Sequence, residues 1–227
     1  MTLLKRVEIE ETGGFVEALD SYGTDATFYR IARVCTGKGF HDATDDDDKR
    51  ADFIARLIRL KHLRPFEFGG IVVGIRCPIY VERQLRTYRK PDMERSLRFC
   101  DPIEIAGVGT PTTAQSAELI KAQAGGNREG VEAEISRHGR FSVFMYNVLR
   151  EDGCRREEAR RVLTLDTLTE VASFYTVRSL FHVFDERLSS AAQSETRKYV
   201  EALLEIAREL FPQTIAAYEN ERKEKTK

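Results

Sequence analysis

From Ser194 onward Tyr199, Val200, Leu203, Leu204, Ile206, Ala207 and Leu210 recur at helical spacing, charged residues fill the opposite positions, and Pro212 closes the run. A helix with such a stripe holds together only when the stripe lies against other apolar surface. The chain must therefore provide a core for it, and 227 residues suffice to build one within a single domain. We read residues 1–227 as one domain ending in a charged, frayed tail, Glu219–Lys227. No apolar run approaches the roughly eighteen residues that a membrane helix needs, and no secretory segment follows Met1. The four cysteines, Cys35, Cys77, Cys100 and Cys154, are scattered without CxxC pairs, so free thiols in a reducing cytoplasm are expected, without a metal. A net charge of −1 argues against a surface built to grip a polyanion, so neither nucleic acid nor a membrane is expected as partner.

Other segments divide between strand and helix. Leu4–Ile9 and Ala26–Arg30 alternate weakly and read as strand or strand edge. Phe53, Ile54, Leu57, Ile58 and Leu60 predict a helix over Asp48–His62, ending near Leu63–Pro65; Asp45–Lys49 reads as a solvated acidic loop whose charge favours that helix start. Phe68–Arg83, rich in Ile, Val and Tyr, predicts a buried strand whose Gly69, Gly70 and Gly74 admit a close neighbour, with Pro78 at a bulge or edge. Helical patterns cover Pro111–Ala124, Val131–Val148, Arg155–Val162 and Thr167–Phe184. The class is α+β, a helix-rich single domain with a central, mainly antiparallel sheet.

The densest chemical signal is Arg83–Phe99, in which six cations, Arg83, Arg86, Arg89, Lys90, Arg95 and Arg98, surround Ser96. An arginine fork matches phosphate oxygens and a serine hydroxyl adds a donor, so Ser96 and Arg98, two apart on an extended segment, could address one phosphate. The same run could instead be a solvated basic loop. A second set, Arg178, His182, Arg187, Gln193 and Arg197, is interleaved with apolar residues on expected helix, so some of its cations face inward. Those need partners: a bound anion, or Asp185, Glu186 and Glu195.

Together these segments resemble the flavin-dependent thymidylate synthase family over roughly Ile31 to Tyr218. His62-Leu63-Arg64-Pro65-Phe66-Glu67 is similar to that family's His-x-x-Pro-Phe-Glu, and Pro78 to Gln84 to its Pro-Ile-Phe-Val-x-Arg-Gln. Ala159 to Leu163 forms a second anchor. Arg178-Ser179-Leu180, Arg187 and Ala192 to Tyr199 form the third. Of the signature Arg-His-Arg-x-x-Ser-x-Asn-Glu-x-Ser-x-Arg-Tyr, Glu94, Ser96 and Arg98 are kept, with Phe99 in place of Tyr. Arg86, Thr87 and Tyr88 align with Arg-His-Arg if one residue is deleted near Leu85; an alternative gap puts Arg89 on the second arginine. Pro91 and Met93 replace Ser and Asn, Thr176 stands where Asn is usual, and His182 and Ala191 replace an Asn and a His that help hold flavin.

The resemblance implies a homotetramer with sites shared between subunits, FAD as cofactor, and NADPH and methylenetetrahydrofolate as co-substrates. It implies that Gln84, Ser96, Arg98, Arg160 and Arg187 hold a uridylate, with Arg187 against the uracil carbonyl and N3 as the main catalytic residue. His62, Arg64 and Glu67 would line the flavin and folate side, while Arg86, Thr87, Tyr88, Glu94, Arg178 and His182 would contact flavin. The reaction implied is methylation of uracil C5 without an enzyme thiolate. Phe99 suggests that UMP is accepted besides dUMP, as in a branch of the family serving nucleoside antibiotic biosynthesis. Two alternatives stand beside it: an ordinary thymidylate synthase acting on dUMP, and a non-catalytic nucleotide- or RNA-binding homologue.

Overall fold

The computed structural model describes residues 5–35, 37, 46–102 and 128–225. Its centre is an antiparallel sheet of five strands: β1 (Lys5–Ile9), β2 (Gly14–Tyr22), β3 (Gly70–Pro78), β4 (Asp92–Glu94) and β5 (Leu168–Thr176), in the order β1-β2-β3-β5-β4. Period-two alternation decides the two faces. On β3, Ile71, Val73, Ile75 and Cys77 point into the core; on β5, Val171, Ser173 and Tyr175 do. Around the sheet lie α1 (Asp25–Val34), α2 (Asp47–Arg59), α3 (Ile79–Leu85), α4 (Arg128–Glu151), α5 (Arg156–Ala159), α6 (Val177–Arg187), α7 (Ser194–Leu210) and α8 (Pro212–Lys225).

The stripe that required a core finds it. Tyr199, Val200, Leu203, Ile206 and Ala207 of α7 are buried, and the helix packs across β1 and β2. The tail expected to fray is helical through Lys225, because Asp25 anchors the start of α8. Its buried carboxylate accepts the backbone N–H groups of Gln213 and Thr214, at 3.0 and 3.1 Å, and the Thr214 hydroxyl at 2.5 Å.

Several segments differ from their sequence reading. Ala26–Arg30 is helix rather than strand. Thr24 and Thr27 exchange hydrogen bonds in a capping box, and Phe28, Tyr29 and Ala32 then share one buried face. β2 has no counterpart among the expected strands. The acidic run is less a loop than a helix start: Asp46 caps α2 by accepting from the Lys49 N–H, and Asp47 and Asp48 occupy its first turn. Leu168, Val171, Ala172 and Tyr175 fall at i, i+3, i+4 and i+7, which mimics a helix, yet the segment is β5 because β3 and β4 pair with it on both sides; helix begins only at Val177. The strand read over Phe68–Arg83 ends at Pro78, which is neither bulge nor edge but the last residue of central β3 and the cap of α3. The bulge lies in β2, between Ala18 and Asp20. Gly70 does admit a close neighbour, since a Cβ there would collide with the Tyr175 carbonyl and the Phe174 ring. The helix expected over Pro111–Ala124 lies outside the described residues, and Val131–Val148 falls within α4.

Candidate active site

Three helix ends converge on Arg187. It is the last residue of α6, whose Leu180, Val183 and Phe184 are buried and fix the helix against the core. Gln84 comes from α3, where Val81 and Leu85 take the buried face. After the α3 cap at Arg86 the Thr87 hydroxyl donates back to the Gln84 carbonyl at 2.8 Å, and this turn delivers Tyr88. Arg187 Nε–H donates to the Tyr88 hydroxyl at 2.8 Å, and its Nη1 lies 3.5 Å from Gln84 Oε1. The Gln84 amide donates in turn to Gln193 at the head of α7. His182, five residues earlier on α6, meets the Tyr88 ring edge-on at 5.5 Å. Both acceptors of Arg187 are neutral. Among the described residues no carboxylate is ion-paired with it, and the expected alternative partners Asp185, Glu186 and Glu195 do not serve; Asp185 accepts instead from Tyr218 at 2.6 Å.

Arg86 belongs to an adjoining charge network. It pairs with Glu82 one turn back on α3, as i, i+4 spacing allows, and with Glu94 on β4 at 2.5 Å. Glu94 also accepts from Thr169 at 3.1 Å. Glu82 is buried, and desolvation raises its carboxyl pKa against the opposing pull of Arg86. Two residues before Glu94 on the same strand, Asp92 is paired with Lys90 and hydrogen-bonded to Ser173 at 2.5 Å. Lys90 is sequestered, with its ammonium 5.2 Å from the Tyr175 ring centroid. Sequence reasoning missed Glu82, Lys90 and Asp92 as inward residues. The Glu82 to Arg86 spacing was the signal for one of them.

Ser96 and Arg98 lie in a turn rather than on an extended segment: the Phe99 N–H bonds the Ser96 carbonyl at 3.0 Å, and the Arg98 N–H bonds Ser96 Oγ at 3.3 Å. Accepting that bond leaves the serine proton to donate elsewhere. The turn is tied down by Asp101, whose carboxylate takes a two-pronged contact from Arg156 at 2.9 and 3.0 Å and the Tyr146 hydroxyl at 2.7 Å. These donors, Arg156 first, lower the Asp101 pKa to about 2. Arg98 pairs with Glu157 at 2.9 Å, an exposed contact of little energetic weight, and Arg160 is exposed just after α5. Ser96, Arg98 and Arg160 make no hydrogen bond or ion pair with Arg187 within the chain.

His62, Arg64 and Arg178 line a separate cavity of about 660 Å³. Its floor is apolar, from Ala32, Phe53, Leu57 and Leu63, and Arg56 and Lys61 add cations. The end of α2 shapes this wall. Lys61 adopts φ 57°, and the N–H groups of Lys61 and His62 close on the carbonyls of Ile58 and Leu57 at 3.0 and 2.9 Å. Glu67 is paired with Arg178, both half-exposed, so the arginine can exchange this partner cheaply. Apolar walls beside arginine forks fit a planar ring system joined to phosphates.

A family described as thymidylate synthase complementing protein matches residues 18–213. The flavin-dependent thymidylate synthase of Treponema pallidum is 31% identical over 222 residues, covering 93% of this chain and 70% of that protein. The enzyme of the same name from Thermus thermophilus is 30% identical over 217 residues, with 91% and 76% covered. Among solved structures, a UMP/dUMP methylase from Streptomyces cacaoi bound with 5-Br dUMP shares the fold at a TM-score of 0.71 and 23% identity, covering 92% of this chain and 96% of that one.

Proposed function

We propose, from the premise that this chain belongs to the flavin-dependent thymidylate synthase family, that it methylates C5 of a uridine monophosphate, accepting both UMP and dUMP. The observation that carries the reading is Arg187: half-buried, oriented by Tyr88 and Gln84, and uncompensated by any carboxylate among the described residues. A cation held this way is suited to grip the O4–C4–N3 edge of uracil and to stabilise negative charge held there before attack, which makes C5 the better nucleophile. Gln84 and Arg187 thus hold the base and sugar side. Ser96, Arg98 and Arg160 hold the phosphate, Arg98 exchanging Glu157 for it.

When bound at the cavity of His62, Arg64 and Arg178, FAD, reduced by NADPH, supplies the chemistry that transfers the methylenetetrahydrofolate carbon and completes its reduction. Arg64 and Arg178 would hold its phosphates beside the apolar floor, and the Arg86–Glu94 pair would border the flavin. We infer a homotetramer in the cytoplasm. Its shared sites would bring the phosphate residues of one subunit to Arg187 of another, consistent with the lack of contact between them in one chain. Phe99, 75% exposed where the family signature has Tyr, would leave no phenol hydroxyl beside a sugar bound there, in keeping with acceptance of the ribose; a place in nucleoside antibiotic biosynthesis is inferred from the resemblance alone.

Purified protein should quench FAD fluorescence on binding, with Arg178→Ala weakening the affinity. Incubated with FAD, NADPH and methylenetetrahydrofolate, it should convert UMP and dUMP to 5-methylated products. Product from dUMP alone would reduce the protein to an ordinary thymidylate synthase; loss of all FAD binding would favour the nucleotide-binding alternative.

A further inference from the structure

We infer that Tyr88 is a positioning residue for Arg187 rather than a flavin contact, an inference that rests on the reading of Arg187 given above. The resemblance places Tyr88 among flavin contacts, at a position where the family signature carries an arginine. Its hydroxyl is instead engaged by Arg187 Nε–H at 2.8 Å, and the guanidinium carbon stands 5.6 Å from its ring centroid. A guanidinium has five N–H donors in one rigid plane, so fixing the Nε edge fixes where the others point. Gln84 Oε1 takes a second donor at 3.5 Å, leaving the Nη2 side for an incoming carbonyl or anion.

The choice of acceptor matters as much as the geometry. A carboxylate at this position would orient Arg187 but also cancel its charge. A phenol orients it and leaves the charge whole. Burial raises the Tyr88 pKa against the opposing pull of Arg187, which favours the neutral hydroxyl. The Tyr88 ring in turn packs against the edge-on ring of His182, which sits where the family has a flavin-holding asparagine. Two departures from the family's pattern thus form one small device on this chain, with His182 packing Tyr88 and Tyr88 aiming Arg187.

The test compares wild type with Tyr88→Phe, both FAD-loaded, in turnover of UMP and dUMP and in FAD fluorescence titration, with melting temperatures measured alongside. The phenylalanine keeps the ring and its contact with His182 and removes only the acceptor. We expect kcat to fall on the order of 10²-fold, as for a small misalignment of a catalytic group, while KM, FAD affinity and melting temperature hold. Wild-type-like turnover in Tyr88→Phe would overturn the inference. So would weakened FAD binding with kcat restored at saturating FAD, which would return Tyr88 to the flavin. A wild type that binds FAD yet turns over neither nucleotide would overturn the reading of Arg187 itself, and this inference with it.

Discussion

The proposed reaction concentrates its chemistry in one side chain, Arg187. Replacing it with alanine removes the charge proposed to hold the O4–C4–N3 edge of uracil, and kcat should drop about 10² to 10³-fold by steady-state assay. Lysine keeps the charge but has no Nε–H for Tyr88 and no planar fork, so Arg187→Lys should recover little of that loss. If lysine restores near-normal turnover, only the charge matters and the fixed geometry does not. Single residues were legible unevenly. Arg187, Gln84 and Gln193 stood out by motif and do meet, and Arg86 and Glu94 do pair. That Tyr88 would turn toward Arg187 was not legible, because it depends on a turn after α3 whose geometry no local pattern specifies. The burial of Lys90 was hidden for a related reason: only the pairing of β4 with β5 brings Ser173 to Asp92, and so closes the ring of partners that a buried ammonium requires.

Among the elements, the turn over Ser96 to Asp101 is held by a carboxylate with a depressed pKa, which makes its order pH-dependent. The folded-state pKa of about 2 lies below the ordinary value of 3.8, so the stabilisation is fully present above about pH 4 and is lost as pH falls toward 2. Because Asp101 is more than half exposed, the effect on global stability is small and should appear chiefly in the turn. Denaturation of wild type and Asp101→Asn across this window should show a difference above pH 4 that vanishes near pH 2; a gap that persists there would place the contribution elsewhere. Gly70→Ala should destabilise by about 1–3 kcal/mol in chemical denaturation, since the new methyl has backbone on one side and the Phe174 ring on the other. Elements announced by amphipathic stripes, α2 and α7, were legible because a stripe on a helix needs only local spacing. β5 was misread because its apolar residues satisfy helical and alternating periods alike, and β2 was missed because its side chains face a core that distant segments complete.

For the molecule as a whole, the α+β class with a central antiparallel sheet was legible, since one long amphipathic helix and a run of β-branched residues leave few other layer arrangements. How the residues proposed for the nucleotide come together was not, for the turn over Ser96 to Asp101 and Arg187 make no bond within one chain. If subunits share sites, mixing Ser96→Ala with Arg187→Ala protein under conditions that exchange subunits should restore turnover that neither variant shows alone. Failure of mixed oligomers to regain activity would put a complete site within each subunit. Phe99→Tyr should shift kcat/KM toward dUMP over UMP in a competition assay, and an unchanged ratio would remove Phe99 from sugar selection. The central claim, that this chain alkylates uracil at C5 and tolerates the ribose hydroxyl, is met most directly by tritium release from C5-labelled UMP and dUMP with FAD, NADPH and methylenetetrahydrofolate. Release from both nucleotides, abolished in Arg187→Ala, is the predicted result; no release from UMP while dUMP reacts normally would contradict it.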